Sequence, residues 1–153
     1  MTVVACAVGR LDPAGPWVGF APTLDDGYAL VIGSDDGCAA HAPADPHDLL
    51  ALAIAYFADE LPEPPEELAA THGDIGSLVR HLASGERDAE RSRELNEAVD
   101  AVDDGLATDV VVGRLSRCLR GGEEPMERLR RRATELLAGV RGQPSRGRYS
   151  SGL

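Results

Sequence analysis

The chain has 153 residues, 43% of them apolar and only 4% aromatic, with a formal charge of −11. A chain of this length buries about 70% of its unfolded surface, so a single domain can form without disulfide or metal staples. The acidic balance argues against a general nucleic-acid or anionic-membrane binder, and the few aromatic rings argue against a base-stacking platform.

Taken in order, the chain opens on a β-branched run over residues 2–8, with Val4, Cys6 and Val8 on one side and Val3, Ala5 and Ala7 on the other. Both sides are coverable, which predicts a central strand. A loop built from Asp12, Pro13, Gly15 and Pro16 follows. Asp25, Asp26 and Gly27 recur ten residues later as Asp35, Asp36 and Gly37. Asp-Gly between apolar runs is a hairpin signal, because the tight turn needs positive φ at both central residues. Two such turns one strand apart predict a meander with strands near 17–24, 28–34 and 38–42, in which Tyr28, Leu30 and Ile32 share a face.

Residues 45–61 predict the helix around which the rest is organised. Asp45 suits the N-cap, Pro46 the first helical position and Asp48 the positive first turn, while Pro62 marks the stop. Leu50, Ile54, Phe57 and Leu61 recur at helical spacing, and Leu49, Leu52, Ala53 and Tyr56 widen the stripe. Ala51, Ala55 and Ala58 make up the remaining face. A helix apolar nearly all round belongs in the middle of a two-sided core.

A short helix over 65–71 and a longer one capped by Asp74, with Ile75, Leu78, Val79 and Leu82 inward, come next. Residues 86–94 are polar and read as projecting into water. Leu95, Val99, Val102 and Leu106 then restore an apolar stripe that stops near Gly105. Residues 108–119 contain Val110, Val111 and Val112, which suit a strand, but Thr108 as a cap and the spacing of Val111, Leu115 and Leu119 favour a helix. Pro125 opens a last helix with Met126, Leu129, Ala133, Leu136 and Val140 as its stripe. Residues 142–153 have the composition of a disordered tail. The predicted fold is α+β: an N-terminal antiparallel β-meander of three to four strands, then a mainly helical half packed on the central helix. Residues 1–141 form one domain.

Charge is unevenly placed, with net −12 over residues 1–76, −5 over 77–113 and +6 over 114–153. All 15 basic residues are arginine, a bias of GC-rich bacterial genomes. Cys6, Cys38 and Cys118 are odd in number and far apart, no secretory leader is evident, and the longest apolar run (49–58) is too short to span a bilayer. The expectation is a soluble cytoplasmic protein with reduced thiols.

Candidate chemistry is sparse. Cys38, His41 and His47 beside Asp45 or Asp48 suggest a metal site, but residues 38 and 41 fall on opposite faces of a strand. Cys38 as a nucleophile faces the charges of Asp35 and Asp36, which disfavour a thiolate; hydrophobic packing fits all three cysteines better. Asp100, Asp103 and Asp104 suit a solvated helix face, though Asp103 and Asp104 sit at the C-terminal, negative end of the helix dipole, so Arg114 or Arg117 is expected to neutralise them. His72 fits a helix-helix turn and His81 a polar helix face, neither with a partner that would make it a general base. No phosphate loop, nucleophile elbow or paired-Cys zinc pattern occurs.

No catalytic, cofactor or metal residue is therefore assigned. The expected function is a protein-binding accessory factor, such as an inhibitor, an immunity or antitoxin-like protein or an assembly chaperone. It would act through the arginines of the last helix (Arg128, Arg130, Arg131, Arg132) and the acidic turns (Asp25, Asp26, Asp35, Asp36). The partner is another protein, or a second copy of this chain through the C-terminal helix. The alternatives are a small enzyme assembled from Cys38, His41 and His72, and a nucleic-acid contact made by the arginine helix alone.

Overall fold

The computed structural model describes residues 5–23, 27–34, 39–43, 45–105, 108–119 and 124–141, without the side chains of residues 72 and 139–141. Four strands, β1 (Cys6–Arg10), β2 (Trp17–Pro22), β3 (Tyr28–Gly33) and β4 (Ala39–Pro43), form an antiparallel sheet in the order β1-β2-β3-β4. This is the predicted meander, and Phe20, Leu30 and Ala42 line up across it. The turn residues Asp25, Asp26, Asp35 and Asp36, with Cys38, lie outside the described residues, as does the segment 142–153.

Strand β1 departs from expectation: it starts at Cys6 and occupies an edge of the sheet rather than its centre. Its edge position does not leave it open. The outer edge is covered by chain returning from the helical half, where Arg10 N–H donates to Pro62 O (2.9 Å) and Ala70 N–H donates to Ala7 O (2.8 Å). An edge covered in this way offers no template for further pairing. Alternation divides the sheet residues between two clusters. Val8, Val18, Phe20, Leu30 and Ile32 join the main core, while Ala7, Trp17, Ala21 and Val31 form a smaller one with Leu68.

Helix α1 (Pro46–Phe57) sits at the centre of the main core and packs on β1, α2, α4 and α5. Residues 48–55 are all buried, as a helix apolar on every side requires. Its start is the predicted one, with Asp45 accepting from His47 N–H and Asp48 returning a bond to Asp45 N–H. Its end comes earlier than Pro62. Asp59 adopts positive φ (58°), Glu60 N–H reaches Ala55 O (3.0 Å) and Asp59 N–H reaches Tyr56 O (3.1 Å), which closes the helix in a Schellman motif at a non-glycine residue.

The expected short helix is one 3-10 turn, Glu66–Leu68. Helix α2 (His72–Gly85) is capped by Thr71 rather than Asp74. Asp74 is the third helical residue and completes a capping box: its N–H donates to Thr71 Oγ1 (3.2 Å) while its carboxylate accepts from Thr71 N–H (2.8 Å). Helix α3 (Ala89–Asp103) starts on Asp88 and ends with Gly105 at φ 70°. The valine run is helical, as α4 (Thr108–Ser116). Helix α5 (Pro125–Arg141) closes the fold by burying Met126, Leu129 and Ala133 against the core that α1 organises. No helix among the described residues is long and apolar enough to cross a membrane.

Candidate functional site

The four arginines expected to act from α5, Arg128, Arg130, Arg131 and Arg132, divide into two pairs. Asp48, in the first turn of α1, is fully buried. Its Oδ1 accepts from Arg128 Nε at 2.8 Å and its Oδ2 from Arg132 Nε at 3.0 Å. The Arg128 guanidinium also lies 3.6 Å from Asp45 Oδ1. A carboxylate in a dry interior is tolerated only when cations and donors surround it, and α5 supplies both. Arg132 is held firmly in its charged form, first by its bond to Glu135 and then by Asp48. Half of the predicted cationic surface is thus spent within the molecule. Arg130 and Arg131 are exposed; Arg130 reaches back to Leu11 O (3.4 Å) and stands 3.9 Å from Asp12.

The helical half carries a second ionic cluster. Arg114 of α4 bridges Glu94 (3.0 Å) and Glu97 of α3, and Arg117 also reaches Glu94 (3.1 Å). Bonding to Arg117, then to Arg114, lowers the Glu94 carboxyl from its ordinary value against the opposing effect of burial. Asp103 has neither expected partner. Arg80 of α2 takes both of its oxygens, at 2.9 and 3.2 Å, because α2 runs alongside the C-terminal end of α3.

An open cleft of about 940 Å³ lies at the end of the sheet. One wall comes from the β2-β3 hairpin and the β4-α1 junction, with Tyr28, His41, Pro43 and His47. The other comes from the α2-α3 corner, with His81, Arg87 and Arg91. Leu49, Leu50, Leu82 and Leu95 add an apolar floor. The Tyr28 ring is held edge-on between Phe20 (5.5 Å) and His81 (4.9 Å), so His81 is partly covered rather than free on a polar helix face. His47 has its Nδ1 buried with no hydrogen-bond partner.

The acids of the cleft are already engaged. Burial works to raise the Glu86 carboxyl, but Arg91, 3.3 Å away, and the amides of Asp88 and Arg87 outweigh it and lower it from its usual value. Asp45 is spent on the α1 cap. The Cys118 thiol is pushed up to about 11, by burial first and then by Glu94 and Glu86, so it is a neutral packing group at neutral pH. Cys6 is raised likewise, by burial and then by Asp74.

Compared with protein-family models, curated proteins and solved structures, the chain matches none.

The cleft brings together His41 and His47 from the expected list, and adds His81 from another helix. The remaining members, Cys38 and the His72 side chain, lie outside what is described. Among the described residues no group of three or more His, Cys, Asp or Glu is placed to hold a metal ion. Arg87 and Arg91 were not legible as site residues, because in sequence they belong to a charged stretch that reads as solvated; the signal that could have marked them is the break at Gly85, which turns the chain back toward the sheet.

Proposed function

We propose that the protein is a binding accessory factor without catalysis of its own, and that the cleft is where it binds. The observation that carries this reading is the pairing of an apolar floor with imidazole and guanidinium groups along the rim of one concavity, the make-up of a ligand site. The chemistry of the nearby groups supports binding over reaction. Cys118 is held as the neutral thiol, and Glu86 is occupied by Arg91. His81 faces the edge of the Tyr28 ring rather than a group it would activate.

The test is a thermal-shift screen of metabolites and short peptides on the native chain and on Ala42→Trp, which fills the cleft from β4. A ligand that binds only the folded state raises the melting temperature by mass action. Compounds that stabilise the native chain and not Ala42→Trp support the reading; equal stabilisation of both moves the site elsewhere.

The observed charge distribution favours a second reading, in which the partner is a protein engaged by the exposed Arg130 and Arg131 and by the acidic body, including Asp25, Asp26, Asp35 and Asp36. Reversal of both arginines to glutamate should then slow association steeply at low salt. A partner captured equally by the reversed variant rules the two arginines out and leaves the acidic body as the candidate surface.

A further inference from the structure

Resting on the cleft as the binding site, we propose that its ligand is a small amphipathic carboxylate, with the anionic head toward Arg87 and His47 and an apolar body on the leucine floor.

Among the described residues of the cleft, Arg91 is paired with Glu86 but Arg87 is uncommitted, and both acids on the lining are taken. Arg87 is exposed, and its guanidinium has no ion pair or hydrogen bond among the described residues. Of the two acids beside it in sequence, Glu86 is already shared between Arg91 (3.3 Å) and the backbone amides of Arg87 and Asp88 (both 3.1 Å), and Asp88 caps α3 by accepting from Glu90 N–H (3.1 Å). Asp45, the other acid on the lining, accepts from His47 N–H at 2.8 Å and lies 3.6 Å from Arg128. The His47 ring sharpens the polarity. Its Nδ1 is enclosed without a partner, and an enclosed N–H without an acceptor is among the rarest states in proteins. With Nδ1 enclosed, Nε2 is the ring nitrogen left to donate to a ligand, and His47 is on the lining of the cleft. A guanidinium fork, an imidazole N–H and no free acid among the described residues select an acceptor, and a carboxylate most strongly, because charge-assisted bonds are about twice as strong as neutral ones. The apolar share of the lining, Tyr28, Leu49, Leu50, Leu82 and Leu95, requires a ligand with a body to bury. A bare inorganic anion would leave that floor wet.

The probes are phenylacetate, its neutral isostere phenylacetamide, and phenyl phosphate, titrated into the full chain and followed by backbone amide NMR. Phenylacetate should shift the amides of Tyr28, Ala29, Ala42 and Leu82 saturably, with a dissociation constant in the millimolar range, as expected for about ten non-hydrogen atoms. Phenylacetamide should bind roughly tenfold more weakly, the loss of one charge-assisted bond. Arg87→Gln should erase that difference while leaving the melting temperature unchanged, since the side chain has no partner to lose. Equal binding of the amide and the acid overturns the anionic head but leaves the cleft as a binding site. Phenyl phosphate binding tenfold or more above phenylacetate overturns the carboxylate in favour of a phosphate. Saturable shifts confined to other surfaces, or none with any probe, overturn the inference, and the Ala42→Trp screen then decides the cleft reading by itself.

Discussion

Replacing Arg128 and Arg132 together by alanine leaves the Asp48 carboxylate, 0% exposed, with only the amide of Asp45, at 3.4 Å, among the described residues. Stripping the cations from a buried carboxylate costs about 3–5 kcal/mol. The Arg128 and Arg132 side chains are 14% and 24% exposed, so water screens the pair in part and the lower half of that range is expected. Each single replacement leaves one guanidinium in place and removes one charge-assisted bond, about 1.5 kcal/mol. The double loss should therefore equal or exceed the sum of the singles, the signature of a shared partner. For a domain of this size a loss of 3–4 kcal/mol lowers the melting temperature by roughly 6–15 °C. Urea unfolding of the four proteins at constant slope measures it. A double variant within about 1 kcal/mol of the native chain would show that Asp48 is hydrated and that α5 does not clamp it. Deleting residues 124–153 should be more severe, because Met126 and Leu129 add about 3–6 kcal/mol of apolar burial to the ionic loss.

Because Glu94 is held below its ordinary value of 4.5 by Arg117 and Arg114, the unfolded chain takes up its proton first as pH falls. The stability it contributes is present above the ordinary carboxyl range and is lost as pH drops through the lowered value, so Glu94→Gln should flatten the stability profile below about pH 4.5; an unchanged acid limb refutes the pairing. A methyl group on Gly33 would overlap the Trp17 ring, so Gly33→Ala should cost about 1–3 kcal/mol and shift the emission of the single tryptophan to the red; native emission would show that the ring does not lie over Gly33. In a Cys6→Ser, Cys38→Ser background, Cys118 should resist iodoacetamide at pH 8 until the chain is unfolded, since burial holds the thiol protonated; fast native labelling would contradict its place in the core.

The fold was legible wherever local chemistry and burial agreed. Asp45, Pro46 and Asp48 give the start of α1 by capping alone, and alternation around Tyr28, Leu30 and Ile32 gives the register of the meander. Two of the misreadings, at β1 and Asp103, come from long-range partners, and one, the end of α1, from the local backbone. Strand β1 is apolar on both sides because the main core covers the face of Val8 and the turn carrying Leu68 returns to the face of Ala7, which no local pattern announces. Helix α1 stops at Phe57 because Asp59 accepts a left-handed conformation that propensity assigns to glycine. Asp103 meets Arg80 rather than Arg114 because helix packing, not chain order, decides which cation is nearest.

The cleft was illegible for a related reason, and its construction ties it to the ionic clamp. His41, His47 and His81 come from β4, α1 and α2, and each alone is explained by a strand, a helix start or a helix face. What turns them into one rim is the position of α1's first turn, and that turn is fixed from two directions. Asp45 caps it through the amide of His47, while Asp48, one residue beyond His47, is gripped by Arg128 and Arg132. His47 thus stands between the cap and the clamp, with its Nδ1 enclosed by the packing they impose. The basic C-terminal helix, which in sequence reads as a separate charged arm, instead sets the orientation of a wall of the binding cleft. Its charge need not touch a ligand to matter for binding, because loosening the clamp frees the His47 ring to turn and removes the donor geometry on which selection of an anion depends.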